Sequence, residues 1–522
     1  MEHPNDLKNG DYTFVSTKTA KEDAEKLKNN LLPEIQTVEF AAPIFINIFL
    51  KKEFFANSVK EINGKGKEYG KTKFLSGQKI FVEHTQPNPF KEFHIGHLMN
   101  NTVGESVARI LKANAAELKV CSYHGDVGLH VAKSIWAIVK VSSSFEDAYV
   151  YGHKMYEEDE NVKKEIIELN KNIYEEGDSF VKGLYIKGRK GSLDHFEELY
   201  KRLDSHFDFH FYESESGEIG KKIVLEKIGK VFEEGEKGAI IFKGENFEPV
   251  THTRVFLSSE GLPTYEAKEV GLAEMKKSKW QYDQSITVTA NEQDSFFKVV
   301  EVAIGEVFPE LKGKLKHLSH GMLKLPTGKM SSRTGNIITA EALIQEVKEK
   351  IFEKLRDRNF DEQEKENIAE TVAIGAIKYS ILRQAIGGDI IFDLNKSISF
   401  EGDSGPYLQY TAVRANSVLA KAPQGVALGK LDPKAAPWET TDLEKMLYRF
   451  PEVVERAARE FAPHYLVTYL IELAGEFNSF YAREQIIDES DSSPYKLAIT
   501  SATATVLKNG LNLLGIKVPE RM

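Results

Sequence analysis

The sequence predicts a doubly wound α/β domain with a parallel sheet, an α+β segment before it and an all-α segment after it. In the middle of the chain, short apolar strand patterns alternate with helical patterns, as in parallel sheets covered by helices on both faces. The first residues mix strand and helix patterns, whereas the last residues are helical in pattern with few strand signals. A chain of 522 residues exceeds one hydrophobic core, so several domains are expected.

The first region spans residues 1–75 and is predicted to be the α+β segment. It contains a charged helical pattern at Thr19–Leu32 and a strand-like run at Ile35–Leu50, and it ends in a glycine-rich linker. Between residues 51 and 73 there are seven lysines against three glutamates, interleaved with aromatic residues. This composition fits an RNA-facing patch and a solvated lysine-rich surface equally well. The net charge of −10 argues against nonspecific nucleic-acid binding through bulk charge.

The second region spans residues 76–390 and contains the predicted parallel sheet. Strand patterns occur at Lys79–Val82, Lys119–Ser122 and Ser285–Thr289, and Leu98–Leu111 fits a helix with one apolar face. A highly charged stretch at about 140–250 is expected to be an insertion. In folds of this kind the ligands bind beyond the carboxyl ends of the strands, so the functional site is expected there.

The third region spans residues 391–522 and is predicted to be all-α. The stretch 422–438 is rich in Pro, Gly and Ala and is expected to loop between helices. The single cysteine, Cys121, lies in an apolar run, which favours a buried structural thiol over a nucleophile. No apolar stretch approaches the roughly 18 residues that span a bilayer, and the first residues do not form a signal-peptide pattern. We expect a cytoplasmic protein that makes no membrane contact.

His94-Ile95-Gly96-His97 lies between the first strand pattern and the helix that follows it. At such a turn the free backbone N–H groups and the helix dipole favour an anion. Gly96 has no Cβ and lets a base or ribose approach the backbone, and the imidazoles can donate to phosphate oxygens. Taken alone, a His-x-x-His pair is more often a helix pair or half of a metal site. The zincin motif is excluded because Ile95 and Gly96 stand where it needs a glutamate.

A second polar cluster, Lys329-Met330-Ser331-Ser332-Arg333, lies on a glycine-rich loop much later in the chain. Lys329 can supply a point charge for a leaving pyrophosphate. Polar loops with a lysine are common, so this cluster is a weak signal by itself. The order and the context of the two clusters together indicate an ATP site.

The two clusters resemble the ATP-binding signatures of class I aminoacyl-tRNA synthetases. The first matches in full, and in the second Ser332 and Arg333 replace the usual Lys and Ser. Over nearly the whole chain the surrounding residues resemble the arginyl-tRNA synthetase family, although that family's usual opening helix is missing. The resemblance is carried by Gly10–Tyr12, Ala42–Asn47, Val82–Lys91, Gly125–Gly128 with Val127 in place of Trp, Gly405–Tyr410 and Leu513–Met522. It implies a Rossmann-type catalytic domain followed by a helical anticodon-binding domain.

Arginine recognition needs carboxylates, because a guanidinium is planar, permanently charged and rich in donors. The resemblance implies six arginine-binding residues: Glu83, Asn88, Glu213, Tyr265, Glu269 and Gln293. Glu83 and Asn88 would hold the α-amino and carboxylate end, and the others would face or enclose the side chain. The family usually has Asp where Glu269 stands and His where Phe296 stands. Without the resemblance, Glu213 and Glu269 would be interpreted as solvated acids.

The resemblance implies a ligase that forms arginyl-adenylate from ATP and L-arginine and transfers arginine to tRNA(Arg). The catalytic residues it implies are His94, His97, Lys329 and Lys91. The implied ATP-binding residues are His94, Gly96, His97, Lys329, Met330, Ser331 and Ser332. Mg²⁺ would be held mainly by the ATP phosphates, so no metal-ligating residues are predicted. The implied tRNA-binding residues are Tyr407, Arg414, Tyr481 and Met522.

We expect an active enzyme that is a monomer. Two other hypotheses about its function stay open. Another adenylyl-transferring enzyme could share the fold and the ATP motifs, but the terminal Pro519-Glu520-Arg521-Met522 argues against it. A non-catalytic synthetase-like RNA-binding protein is opposed by the retention of the histidines and Lys329. The departures at Val127, Glu269 and Phe296 keep that second hypothesis open.

Overall fold

A computed structural model describes residues 2–4, 6–16, 19–141, 145–175, 179–324, 338–423 and 439–522. The chain forms two compact units. One unit contains Leu75–Lys354 and Ser380–Leu394, and the other contains Met1–Phe74, Leu355–Tyr379 and Asn395–Met522. The predicted first and third regions are therefore grouped in one unit.

The helices and strands follow in chain order. Before residue 75 lie β1 (Tyr12–Val15), α1 (Ala20–Lys28), β2 (Ile35–Ala41), β3 (Phe45–Leu50) and α2 (Lys52–Lys65). Then come β4 (Lys79–Glu83), α3 (Ile95–Ala113), β5 (Glu117–His124), α4 (Leu129–Val141), α5 (Phe145–Glu158), α6 (Glu160–Glu175), α7 (Ser179–Arg202) and β6 (Phe209–Tyr212). These are followed by α8 (Glu213–Glu226), β7 (Glu233–Glu234), β8 (Ile240–Phe242), β9 (Arg254–Leu257), α9 (Tyr265–Lys279), β10 (Gln284–Ala290), α10 (Asp294–Val307), β11 (Leu315–His320) and β12 (Leu323–Lys324). The last elements are α11 (Ala340–Leu355), α12 (Glu362–Leu382), β13 (Ile390–Ile391), α13 (Leu394–Ser397), α14 (Gly405–Leu419), α15 (Asp442–Leu447), α16 (Phe450–Glu460), α17 (His464–Arg483) and α18 (Ser493–Leu513).

A five-stranded sheet in the order β11-β10-β4-β5-β6 organises the first unit. Every neighbouring pair in this sheet is parallel. The chain runs outward from β4 to β6, then returns beside β4 with β10 and continues to β11. The carboxyl ends of β4 and β10 therefore form the topological switch point, where ligands of doubly wound sheets bind. The predicted α/β class is confirmed.

The predicted strand patterns form the centres of β4, β5 and β10. The residues of β4 that follow Lys79 are buried on both faces of the sheet, which is why this strand appears as an apolar run in the sequence. Each strand extends beyond its pattern into polar or small residues at the carboxyl end, such as Glu83 and His124. The stretch 140–250, expected as an insertion, contributes β6 to the edge of the sheet. Its charged composition comes largely from α5, α6 and α7.

The second unit contains a small antiparallel sheet and a helical array. The sheet has the order β1-β3-β2, and α1 packs on it through Ala20 and Ala24. The strand-like run at Ile35–Leu50 is two strands, because Pro43 in the turn lacks the N–H that a continuous strand would need. In the described part of 395–522 the regular elements are helices, including α14 to α18. The predicted α+β and all-α segments are thus confirmed, while 424–438 of the predicted linker lies outside the described residues.

Cys121 is fully buried in β5, as predicted for a structural thiol. Burial also raises the pKa of its thiol well above the usual range, which disfavours the nucleophilic thiolate. Within the described ranges, no helix combines the length and the apolar character that a membrane crossing needs.

Candidate active site and RNA-binding surface

The two histidines of the first motif cap the start of helix α3. His94 is the N-cap residue, and its Nδ1 accepts the backbone N–H of Gly96 at 3.1 Å. Nδ1 of His97 in turn accepts the backbone N–H of His94 at 3.2 Å, and the two rings stack with centroids 3.7 Å apart. Since Nδ1 of each ring accepts a hydrogen bond, each neutral ring carries its proton on Nε2. The helix cap therefore sets both imidazoles as Nε2–H donors.

Both imidazoles are held neutral. Burial lowers the pKa of His94, and the nearby charge of Lys91 lowers it further. Burial also holds the pKa of His97 well below its usual range, with smaller effects from the charges of His94 and Lys91. Burial lowers the pKa of Lys91 as well, and its Nζ lies 4.7 Å from the ring centroid of Tyr149. The histidines are thus suited to donate hydrogen bonds to an anion without carrying full charges.

The second motif lies outside the described residues: Lys329, Met330, Ser331 and Ser332 all fall between 325 and 337. The residues that flank this segment are described. The segment follows β12, and after it Ile338 O accepts the backbone N–H of Ile95 at 3.1 Å, while Thr339 forms a bridge with His94. The chain therefore lies beside the start of α3 at Ile338 and Thr339, the first described residues after the motif.

A cleft of about 510 Å³ lies at the carboxyl ends of β4, β5, β6, β10 and β11. It is lined by every residue predicted for arginine binding and by three predicted for ATP binding: Glu83, Asn88, Glu213, Tyr265, Glu269, Gln293, His94, Gly96 and His97. Phe296 also lines it, so a phenyl ring stands where the family pattern has an imidazole. Lys91 is absent from the described lining. Sequence segments that are far apart thus converge on one cavity.

Two of the three acids of the cleft are paired with lysines. Oε2 of Glu83 lies 2.6 Å from Nζ of Lys276, and Oε2 of Glu213 lies 2.6 Å from Nζ of Lys268. All four side chains of these pairs are nearly buried. Glu269 has no ion-pair partner among the residues that the structure describes. The acidic part of the cleft therefore has one uncompensated carboxylate, which suits a single bound cation.

Burial raises the pKa of Glu269 from its ordinary value of 4.5 to about 8, and the negative charge of Glu83 adds to the increase. The carboxyl group is thus largely protonated near neutral pH while the cleft is empty. A cation bound beside it would favour the ionised form. Glu269 is therefore the acid of the cleft whose charge is most sensitive to a bound ligand.

This pKa predicts how stability depends on pH. A folded-state pKa of about 8 against 4.5 in the unfolded chain means that the stability associated with protonated Glu269 is complete below pH 4.5. It is lost as the pH rises through about 8. Glu269→Gln cannot ionise, so we expect it to be more stable than wild type at pH 8, by an amount on the order of a few kcal/mol. Thermal unfolding of both proteins at pH 5.5 and pH 8 measures this; a stability difference that does not grow with pH would contradict it.

Two glycines set the spacing of Glu213 and Glu269. Glu213 begins α8 and Glu269 lies in α9, and these helices cross with their backbones in contact. A Cβ on Gly220 would lie 1.8 Å from the carbonyl oxygen of Ala267, and one on Gly271 would lie 1.9 Å from that of Ser216. No side chain fits at either position. The carboxylates are therefore positioned by a backbone-to-backbone helix contact.

Sequence reasoning missed Lys268 and Lys276, because a lysine in a helix is usually solvated. The signal that could have found them is the excess of acids predicted for one pocket, since buried acids need cations.

Sequence reasoning also gave no role to Asp126, which lies in the Gly125–Gly128 stretch that carries part of the family resemblance. Asp126 is fully buried and accepts hydrogen bonds from Nε of Arg189 at 2.8 Å and from the backbone N–H of Ser214 at 2.9 Å. It ties the loop after β5 to α7 and to the start of α8.

In the other unit, α14 and α17 bring together three of the residues predicted for tRNA binding. Nη1 of Arg414 donates a hydrogen bond to Oδ1 of Asn478, whose Nδ2 donates to the hydroxyl of Tyr407 at 3.0 Å. The guanidinium of Arg414 also lies 5.2 Å from the ring centroid of Tyr481. Sequence reasoning missed Asn478, which holds this cluster together. The described contacts do not bring Met522 into the cluster.

Comparisons with known proteins agree over nearly the whole chain. Residues 58–394 match the family model of tRNA synthetases class I (R), catalytic domain, and residues 408–522 match the DALR anticodon binding domain. The chain is 33% identical to the arginine–tRNA ligase of Treponema denticola over 507 residues, which cover 92% of this chain and 85% of that protein. It is 31% identical to the arginine–tRNA ligase of Borreliella burgdorferi, over 96% of this chain and 90% of that protein.

Two solved structures are similar over almost their full lengths. The arginyl-tRNA synthetase of Thermus thermophilus superposes with a TM-score of 0.77 at 25% identity, over 100% of this chain and 96% of that one. The arginyl-tRNA synthetase of Plasmodium falciparum shares the fold, with a TM-score of 0.79 at 21% identity, over 99% of this chain and 94% of that one.

A doubly wound parallel sheet with a histidine-capped helix at its switch point, together with the matched catalytic domain, defines a class I aminoacyl-tRNA synthetase. Within this class, the matches to both domain models and the 33% sequence identity to the arginine–tRNA ligase of Treponema denticola identify one family. The chain belongs to the arginyl-tRNA synthetase family.

Proposed function

We propose that this protein activates L-arginine with ATP and transfers it to the 3′ end of tRNA(Arg), acting as a monomer in the cytoplasm. The observation that carries this proposal is the pairing of two subsites in one cleft. Neutral Nε2–H donors at the start of α3 suit the ATP phosphates, and the uncompensated carboxylate of Glu269 suits a guanidinium. An anion site beside a monocation site is what the joining of ATP and arginine requires.

On the arginine side, Glu269 would bind the guanidinium, and Glu213 would share its charge between Lys268 and the substrate. Glu83 and Asn88 would hold the α-amino and carboxylate end. Oδ1 of Asn88 already accepts the backbone N–H of Gly125 at 3.0 Å, which leaves its amide N–H groups as donors for a carboxylate. Tyr265, 63% exposed, and Gln293, also exposed, would close the entrance of the cleft.

In the first step, a carboxylate oxygen of arginine attacks the α-phosphorus of ATP. A bond to that phosphorus forms, the bond to the bridging oxygen of pyrophosphate breaks, and arginyl-adenylate results. Nε2–H of His94 and His97 would donate to the phosphate oxygens as negative charge accumulates on them. Gly96 would let the nucleotide approach the backbone, and the half-buried Lys91 would add positive charge nearby. The protein acts by orientation and charge stabilisation, without a covalent enzyme intermediate.

Lys329 would neutralise the departing pyrophosphate, and Met330, Ser331 and Ser332 would contact the nucleotide. Support for this comes from the flanking residues, because Ile338 and Thr339 bond to the start of α3. The acids of the cleft have other partners than a metal ion: Glu83 and Glu213 form ion pairs with lysines, and Glu269 would bind the guanidinium. The cleft therefore fits a metal ion that is held by the substrate. Mg²⁺ would then be held by the ATP phosphate oxygens, where it neutralises charge on the leaving group.

In the second step, a ribose hydroxyl of the terminal adenosine of tRNA attacks the acyl carbon of arginyl-adenylate. The ester bond to tRNA forms and AMP leaves with the bonding electrons. Tyr407, Arg414, Tyr481 and Met522 would contact the anticodon loop. Loop bases are recognised by stacking on aromatic rings and by hydrogen bonds to their exposed edges.

The direct test of the proposal is arginine-dependent exchange between ATP and pyrophosphate. We expect exchange with arginine and tRNA(Arg) present, and none when lysine or glutamate replaces arginine. Assays with and without tRNA measure whether activation depends on it. Binding of tRNA(Arg) without any exchange would identify a non-catalytic RNA-binding protein instead.

The anticodon surface can be tested through Asn478, which orients Tyr407 and Arg414. Asn478→Ala should raise the KM for tRNA(Arg) by about tenfold, because both side chains lose the partner that holds them. The KM for arginine should stay within twofold or so. Gln363→Ala, an exposed amide on α12, is the matched control. Aminoacylation kinetics with varied tRNA measure the effect, and an unchanged KM for tRNA would remove this cluster from the RNA contact.

A further inference from the structure

A line of hydrogen bonds connects two sides of the cleft. Nε2 of His320 lies 2.5 Å from Oδ1 of Asn100. Nδ2 of Asn100 donates to Oε1 of Gln86 at 3.0 Å, and Nε2 of Gln86 donates to Oε1 of Glu83 at 3.2 Å. All four residues line the cleft, and Glu83 continues the line to Lys276. We call these four residues, His320, Asn100, Gln86 and Glu83, the relay.

The backbone of the relay is held in place at Gln86. Thr85 and Gln86 both have positive φ, at 80° and 42°. Residues other than glycine rarely adopt this conformation, and they keep it only where the surrounding structure holds them there. In this conformation the amide of Gln86 meets Asn100 on one side and Glu83 on the other. A strained segment at the end of β4 thus supplies the central link.

The relay has one direction. Each amide accepts a hydrogen bond at its oxygen and donates one from its nitrogen, so donation runs from His320 towards Glu83. Turning over either amide would oppose oxygen to oxygen at one link and N–H to N–H at another. Each amide therefore supports the orientation of its neighbour, and Nε2 of Gln86 also donates to the carbonyl oxygen of Val288 at 3.3 Å, which favours the same orientation.

The first link of the relay, from His320 to Asn100, depends on the protonation of His320. Its Nδ1 lies 2.6 Å from the carbonyl oxygen of Gly321, so both ring nitrogens face oxygen atoms. A neutral imidazole has one N–H and can satisfy only one of these oxygens. Burial holds the pKa of His320 below its usual value, so the ring is neutral near pH 7 in the free protein. A negative charge in the cleft would favour a second proton on this ring and complete the relay.

We propose that Gln86 and Asn100 are positioning residues that couple ATP binding to arginine binding. The proposal rests on the assignment of the two subsites given above. ATP brings negative charge into the cleft and favours the donating form of His320, which orders Asn100. Arginine held at Glu83 needs the carboxylate in a fixed orientation, which Gln86 provides by donating to Oε1. Both ligands favour the same direction of the relay, so each increases the affinity for the other.

The test is the dissociation constant of arginine, measured by calorimetry on the full chain with tRNA(Arg) bound, without and with α,β-methylene-ATP. In wild type we expect the nucleotide analogue to tighten arginine binding about fivefold or more. Gln86→Met and Asn100→Leu keep similar side-chain volumes but remove the hydrogen bonds, and each should bring this ratio close to one. The double variant should lose no more than either single variant, because the links act as a unit. Gln284→Met is the matched control, because Gln284 begins β10 at the end of the strand that lies away from the cleft. This variant should keep the wild-type ratio.

A wild-type ratio near one, or a ratio unchanged in Gln86→Met, would overturn the proposal. Losses that add in the double variant would overturn it too. If Asn100→Leu does not fold, as judged by thermal unfolding, Gln86→Met carries the test alone. Arginine binding without nucleotide tests the pocket separately: if Glu269→Gln leaves it unchanged there, the arginine subsite is misassigned, whatever the relay does.

Discussion

Replacing His97 by asparagine should lower the rate of arginine-dependent ATP–pyrophosphate exchange by about 10²-fold or more. Nδ1 of His97 accepts the backbone N–H of His94, and the asparagine Oδ1 can take over that role. The substitution thus keeps the helix cap while removing the Nε2–H donor that we assign to the phosphates. The loss should appear in kcat, because the donor acts most strongly as charge develops.

Two further variants separate this role from a structural one. His97→Gln restores a donor near the Nε2 position but disturbs the cap, and we expect it to recover part of the rate. His195→Asn removes a half-exposed imidazole of the same unit that pairs with Glu341, and it should leave exchange unchanged. Affinity for tRNA(Arg) should be equal in all these proteins. An exchange rate close to wild type in His97→Asn would remove His97 from the reaction.

Replacing Glu269 by glutamine should raise the KM for arginine by about 10²- to 10³-fold and leave the KM for ATP nearly unchanged. The guanidinium would lose the one carboxylate that has no lysine partner in the described cleft. A neutral amide also presents N–H groups to a ligand that consists of donors. Glu274→Gln, on the same helix but paired with Lys277, is the matched control. Equal increases in both KM values would place Glu269 outside the arginine pocket.

The pH dependence gives an independent check on the same residue. Because the pKa of Glu269 is about 8 in the free protein, binding of the guanidinium below pH 8 must release a proton. The wild-type KM for arginine should therefore fall as the pH rises from 6 to 8, and level off above that. In Glu269→Gln this dependence should disappear. A wild-type KM that is flat over this range would mean that Glu269 is already ionised in the empty cleft.

The alternation of strands and helices could be predicted from the sequence because apolar periodicity is a local property. The centres of β4, β5 and β10 coincide with the predicted patterns, and α3 begins three residues earlier than predicted because the two histidines form its cap. The break in the run at Ile35–Leu50 was missed, since both of its halves are strands. The motifs identified the family, and every residue that the resemblance implies for arginine binding lines the cleft.

No local sequence pattern shows which acidic residue forms an ion pair with which lysine. Glu83 at the end of β4 pairs with Lys276 of α9, and Glu213 pairs with Lys268 where α8 and α9 meet through Gly220 and Gly271. The raised pKa of Glu269 likewise follows from burial beside other acids that are distant in sequence. Residue types and their spacing therefore predicted the chemistry of the site, while the three-dimensional packing decided which carboxylate has no lysine partner in the described cleft. Electrostatic interactions depend on distance and burial in space, and only the folded chain defines those quantities.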